Sequence, residues 1–187
     1  MKNALREQMK RLPVPRGGSD AIQRRLCSQD WWAAAFQVGI YRSTPSEPST
    51  VLLLEDLLDR RAQVAVPVQK GKRYGWGWVD FSTVWKTSAH GILEPAASTP
   101  AAAAELRVIL VPGLAFDAAG GRLGHGKGHF DRLLASTSAL LIGLCFENHL
   151  VEAVPMESHD VRMDAVVTEQ RMIFAPTAEA KLGRLLG

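Results

Sequence analysis

Cysteine is scarce in this chain: Cys27 and Cys145 stand far apart among 187 residues. They lack the spacing of a metal site and suit a reducing compartment, where both are expected to be core thiols. No apolar run is long enough for a membrane span, and no signal-like apolar segment follows the start. A mitochondrial presequence is disfavoured by Glu7 and by the lack of serine before Ser19. The expectation is a cytoplasmic protein with no membrane partner. Excess charge is missing as well. A net charge of +3 is too small to imply nucleic acid, and no RNA-binding signature is present. Histidines 125, 129, 149 and 159 lie close in sequence but lack a spaced ligand pair, which argues against a transition-metal centre.

The composition, 47% hydrophobic and 22% charged, fits a globular protein of one domain. Charge is unevenly placed: residues 1–25 carry seven basic groups against two acidic ones. Periodicity predicts a helix over 2–12, with Lys2, Arg6 and Lys10 in a basic stripe. A second helix is expected from Ser19 or Asp20 to Ala35, and a third after a Thr50 cap to Arg60. Strands are predicted at 38–41, 64–68, 108–111, 140–145 and 165–168, with Pro67 placing its strand's end or an edge. Residues 74–85 alternate aromatics on one side of a strand or hairpin. Residues 98–104 read as a surface connection, 129–137 as a helix, and the tail from Thr177 as a short final helix. Strands alternating with helices predict an α/β fold: a single-domain three-layer α/β/α arrangement around a largely parallel sheet.

What the chain does have is glycine, concentrated between Pro112 and Arg132. A glycine-dense loop between a strand and a helix lets backbone N–H groups turn toward an anion. Arg122 and Lys127 add positive charge there. Asp117 and Asp131 are carboxylates suited to a divalent cation, although Asp117 is better read as a turn cap before Ala118-Ala-Gly-Gly. Two standard phosphate motifs fail. Gly121 to Lys127 fits the Walker pattern, but Gly128 replaces its hydroxyl residue; Gly124 and Gly126 are followed by His129, which breaks the dinucleotide pattern.

The remaining pattern, Leu110-Val-Pro-Gly-Leu-Ala-Phe-Asp117 through Gly121-Arg-Leu-Gly-His-Gly-Lys-Gly-His-Phe-Asp-Arg132, resembles the signature of the 5-formyltetrahydrofolate cyclo-ligases. Weaker echoes are Lys2-x-x-Leu5-Arg6, Tyr41 followed by Glu47, Gly91-Ile-Leu-Glu-Pro95, and Pro155-x-x-x-His159-Asp160 through Thr168. The resemblance implies an ATP- and magnesium-dependent enzyme closing 5-formyltetrahydrofolate to 5,10-methenyltetrahydrofolate. The formyl oxygen would attack the γ-phosphorus, N10 would add to the activated carbon, and phosphate would leave. Small molecules, not nucleic acid, would be its partners, and a monomer is expected.

By the same resemblance Lys2, Arg6, Arg122, Gly124, Gly126, Lys127, Gly128, His129 and Phe130 would bind ATP, with Arg122 and Lys127 catalytic. Asp131 and Asp160 would hold Mg2+. Glu47 and His129 would contact the folate, and Trp78 or Trp76 would stack on its pterin; Trp78 is the candidate carried forward. Glu94-Pro95 reads as a structural turn. His129-Phe130 stand where the family usually has Tyr-Tyr, and His149 where it tends to have Gln. These departures support an alternative: a relative that binds nucleotide without closing this ring.

Overall fold

The computed structural model describes residues 1–71, 73–88 and 91–186. The chain opens with α1 (Lys2–Met9), α2 (Gly18–Cys27) and α3 (Asp30–Ala33), followed by β1 (Gln37–Gly39) and α4 (Val51–Asp59). Strands β2 (Gln63–Lys70) and β3 (Arg73–Val79), the hairpin β4 (Trp85–Thr87) and β5 (Leu93–Pro95), and β6 (Pro100–Ala101) come next. Then follow β7 (Val108–Pro112), a short hairpin β8 (Ala115–Phe116) and β9 (Arg122–Leu123), and α5 (His129–Leu134). Strands β10 (Leu140–Leu144), β11 (Ala165–Val167) and β12 (Met172–Phe174) precede α6 (Ala178–Leu186).

Eight strands form one sheet in the order β12-β11-β10-β7-β1-β2-β3-β6. The central run from β11 to β2 is parallel, and β12 and β3 join it antiparallel. Each central strand alternates between two cores, as the period of two requires. Val108, Leu110, Leu140, Ile142, Ala165 and Val167 face one core, with α2, α3, α4 and α6 above them. Ile109, Val111, Leu141 and Val166 face the other, covered by α5 and Phe116. Helices on both faces of a parallel sheet make the expected three-layer α/β/α domain.

Several local expectations need correction. The helix expected to reach Ala35 is two helices, because Ser28 folds back on Arg25 O and Gln29 is extended. Neither Ser19 nor Asp20 caps α2; Gly17, at φ 69°, precedes it, and Ser19 Oγ instead accepts Ser49 N–H at 3.0 Å. Thr50 stands at the start of α4 but donates its hydroxyl to Tyr41 O at 2.6 Å, tying the helix to the end of β1. Pro67 lies inside an internal strand. The pairing of β2 with β1 ends at Ala65, so beyond it the proline's missing N–H costs no bond on that side. Residues 100–101 are an edge strand on β3, not mere connection. Cys145 is buried, and burial pushes its thiol far above the ordinary range, whereas Cys27 is exposed and not a core thiol. No helix among the described residues is long and apolar enough to cross a membrane.

Two predictions follow from this packing. A Cβ at Gly143 would lie 2.7 Å from Cδ1 of the fully buried Phe116 ring. Gly143→Ala should therefore destabilise the fold by about 1–3 kcal/mol in a denaturant titration. His149 is buried, and burial lowers its pKa, opposed by a hydrogen bond to the Met9 backbone and by Glu169. The folded chain thus binds fewer protons there than the unfolded one, so stability falls as pH drops below the imidazole's ordinary 6.5. His149→Gln should flatten the decline of melting temperature measured between about pH 7 and 5.

Candidate active site

The glycine segment leaves the carboxyl end of β7 in mid-sheet, where ligands of parallel sheets gather. Asp117 shapes its first half. Its carboxylate accepts N–H bonds from Ala119 at 2.9 Å and from Gly121 and Val154 at 2.8 Å each. Asp117 is buried and so occupied that it is the turn cap, not a cation ligand. In the second half Gly126 and Gly128 take φ +95° and +62°, conformations that side chains rarely adopt. Helix α1 is strapped against this loop. Met9 packs with Leu114, Ala115 and Leu123, and Arg6 Nε donates to Gly124 O at 2.9 Å.

Two cavities meet at the loop. The first, about 540 Å³, is polar: Lys2, Asn3 and Arg6 come from α1, Arg122, Gly124, Gly126 and Gly128 from the loop, and Glu157, His159 and Asp160 from the segment before β11. Lys2 Nζ lies 2.6 Å from Asp160 Oδ2 and 3.2 Å from Glu157 Oε1. Burial is the largest influence and opposes charge on both Lys2 and Asp160, but their mutual hydrogen bond, the contacts with Glu157 and the nearby opposite charges together outweigh it, raising the lysine pKa and lowering the carboxyl pKa.

The second cavity, about 350 Å³, is lined largely by apolar groups such as Pro67, Ile92, Leu93, Phe130 and Leu133. Its polar groups are few. Glu47 is held by Thr44, whose N–H and hydroxyl donate to Oε2 at 2.9 and 3.0 Å. Glu94 is only 7% exposed, and Gln69 N–H reaches it at 3.5 Å. Tyr74 tilts against His129, with ring centroids 4.7 Å apart. Desolvation by the walls lowers the pKa of His125, opposed by Glu47 and reinforced by Arg122, Lys10 and Arg6.

Arg122 and Asp131 line both cavities. Arg122 is 6% exposed; Nη2 donates to Asp131 Oδ1 at 2.8 Å and Nη1 to Pro112 O at 3.2 Å. A cation is thereby fixed on the wall that divides a polar chamber from an apolar one.

The sequence expectations divide accordingly. Lys2, Arg6, Arg122, Gly124, Gly126 and Gly128 meet on the polar cavity, with Asp131 and Asp160. Lys127, His129 and Phe130, grouped with them from sequence, lie instead on the second cavity beside Glu47. Trp78 lines neither cavity. It is half-buried and packs on the core cluster of Trp76, which fills the space over Gly39. Tyr74, on the same face of β3, is the aromatic that reaches the cavity. Glu94, read as a turn residue, also lines it. Arg42, Tyr74 and His125 were not singled out; alternation marks the face of β3 but not where along it the core ends.

The carboxylates of Asp131 and Asp160 fit magnesium, which takes one or two such ligands and completes its shell with phosphate oxygens and water. Each has one oxygen engaged by a cation, leaving the other for a metal. Among the described residues no cluster of three or more His, Cys, Asp or Glu side chains could hold a metal alone, so the ion would depend on its anionic partner. Asp117→Ala should cost about 3 kcal/mol of stability, measured by denaturant unfolding, because three backbone N–H groups lose their acceptor.

The sequence model of the 5-formyltetrahydrofolate cyclo-ligase family matches residues 1–169. The 5-formyltetrahydrofolate cyclo-ligase of Mycolicibacterium smegmatis is 37% identical over 145 residues, which span 72% of this chain and 74% of that protein. The NMR structure of Aquifex aeolicus 5,10-methenyltetrahydrofolate synthetase superposes with a TM-score of 0.83 at 27% identity, covering 94% of this chain and 93% of that one. A 5,10-methenyltetrahydrofolate synthetase from Mycoplasma pneumoniae shares the fold, with a TM-score of 0.69 at 18% identity, covering 90% of this chain and 98% of that one. With its signature loop at the meeting of two cavities and a match over nearly its whole length, the chain belongs to the 5-formyltetrahydrofolate cyclo-ligase family.

Proposed function

We propose that this enzyme converts 5-formyltetrahydrofolate to 5,10-methenyltetrahydrofolate with hydrolysis of ATP. The observation that carries the reading is the pair of dissimilar cavities joined at Arg122 and Asp131. A triphosphate suits the polar chamber with its Lys2, Arg6 and glycine backbone; a pterin, whose ring faces pack on apolar walls and whose edge carries N–H donors, suits the other. Glu47 and Glu94 supply acceptors for the pterin's N–H groups, and the ring pair Tyr74–His129 supplies a π-face.

The formyl oxygen attacks the γ-phosphorus, ADP departs, and an imidate-like phosphate results. N10 then adds to the activated carbon, and phosphate leaves with the former formyl oxygen. Arg122 stands where the phosphoryl group passes between the chambers and offsets its charge throughout. Lys127, on the second cavity beside Gly128, serves the phosphate as it arrives. Asp131 and Asp160 would hold magnesium, which supplies charge neutralisation on the phosphate oxygens when bound. The chain's own task is orientation and exclusion of water from the phosphorylated carbon.

Purified protein with ATP, magnesium and 5-formyltetrahydrofolate should show growth of the methenyl product's near-ultraviolet absorbance. Nucleotide binding without that absorbance would reject the reading in favour of a relative acting on another small substrate. Lys127→Ala should lower turnover roughly a hundredfold, with little change in melting temperature, because the side chain is exposed.

A further inference from the structure

The second cavity holds a cation that the proposed chemistry leaves unused. Arg42 follows Tyr41 just beyond the end of β1, and its guanidinium carbon lies 4.7 Å from the centroid of the Trp85 ring. The side chain is half-buried and lines the second cavity but not the first. Among the described residues no acceptor lies within hydrogen-bond reach of its five donors, and no carboxylate forms an ion pair with it. Burial lowers its pKa, with Glu55 acting weakly in the opposite sense. Stacking on an indole holds the guanidinium plane and leaves its edge free for a planar anion. The other cations of the cavity differ: Arg122 is tied to Asp131, and Lys127 neighbours Gly128, which lines both cavities, and serves the phosphate in the proposed reaction.

We infer that Arg42 is a specificity-determining residue that binds a carboxylate of the substrate's glutamyl tail. This inference rests on the folate reading above. 5-Formyltetrahydrofolate carries its reacting formyl group at one end and two carboxylates at the other. With the formyl group at the Arg122 boundary, the tail needs a cation on a part of the wall that the polar chamber does not share. Arg42 lies on such a part, against Trp85 of the β4–β5 hairpin. Glu47 and Glu94 repel carboxylates from their part of the cavity and so favour one direction of entry.

The test compares two compounds, 5-formyltetrahydrofolate and 5-formyltetrahydropteroate, which lacks the glutamyl group. Binding is measured by calorimetry without ATP, and turnover is followed in the same preparations. Wild type should prefer the compound with the tail by about tenfold. Arg42→Met keeps the packing over Trp85 and should abolish that preference, weakening the glutamyl compound about tenfold and leaving the pteroate and the KM for ATP unchanged. Arg42→Lys should recover part of it, since lysine lacks the fork. Equal loss for both compounds, no loss for either, or no wild-type binding of either would overturn the inference. Tail-dependent binding without ring closure would support it and sink the proposed reaction, whereas ring closure with tail-independent binding would do the reverse.

Discussion

A guanidinium held nearly out of water needs fixed partners, and that requirement organises the centre of this protein. Arg122 lies in β9, pinned by Asp131 from α5 and by the carbonyl of Pro112 at the end of β7. Three elements separated in sequence thus converge on one cation. Removing a partner would leave an uncompensated buried charge, so the pair is well determined in position. Its place on the wall between the cavities makes the pairing more than structural. In the proposed reaction a phosphoryl group moving from one chamber to the other would pass a preorganised charge.

The surrounding cations are managed in the same way. Lys2, Arg6 and Arg122 share one cavity and repel one another, yet each is bound to an acceptor: Asp160, Gly124 O and Asp131. Through these bonds α1, otherwise attached by the small cluster around Met9, becomes part of the cavity wall. The loop itself depends on Asp117, whose three N–H bonds fix the turn preceding the strand that carries Arg122. Turn geometry, charge placement and helix docking are therefore one arrangement, and an error in any of them would displace the others.

Much of this was legible in the residues. The unbroken apolar runs at 108–111 and 140–145 read as strands, and both faces of a parallel sheet are buried. The glycines and charges of residues 122–131 marked the loop that lines the polar cavity, and Lys2 and Arg6 fell on one helical face. Less was legible where burial depth mattered. Tyr74, Trp76 and Trp78 share one period and one face, but Trp76 covers Gly39 while Tyr74 emerges at the cavity. Lys127, His129 and Phe130 are continuous in sequence with residues of the polar chamber, yet the turn at Gly128 delivers them to the apolar one.

Local pattern alone determined the strand–helix succession, the parallel sheet and the chemical character of the loop, because these depend on spacing and on residue type. Tertiary structure decided which aromatic faces a cavity, and that Glu94 and Arg42 belong to the same cavity as Glu47. Those outcomes depend on contacts between residues distant in the chain. Each is set by the competition of neighbours for one volume and for one another's hydrogen bonds, which no linear pattern records.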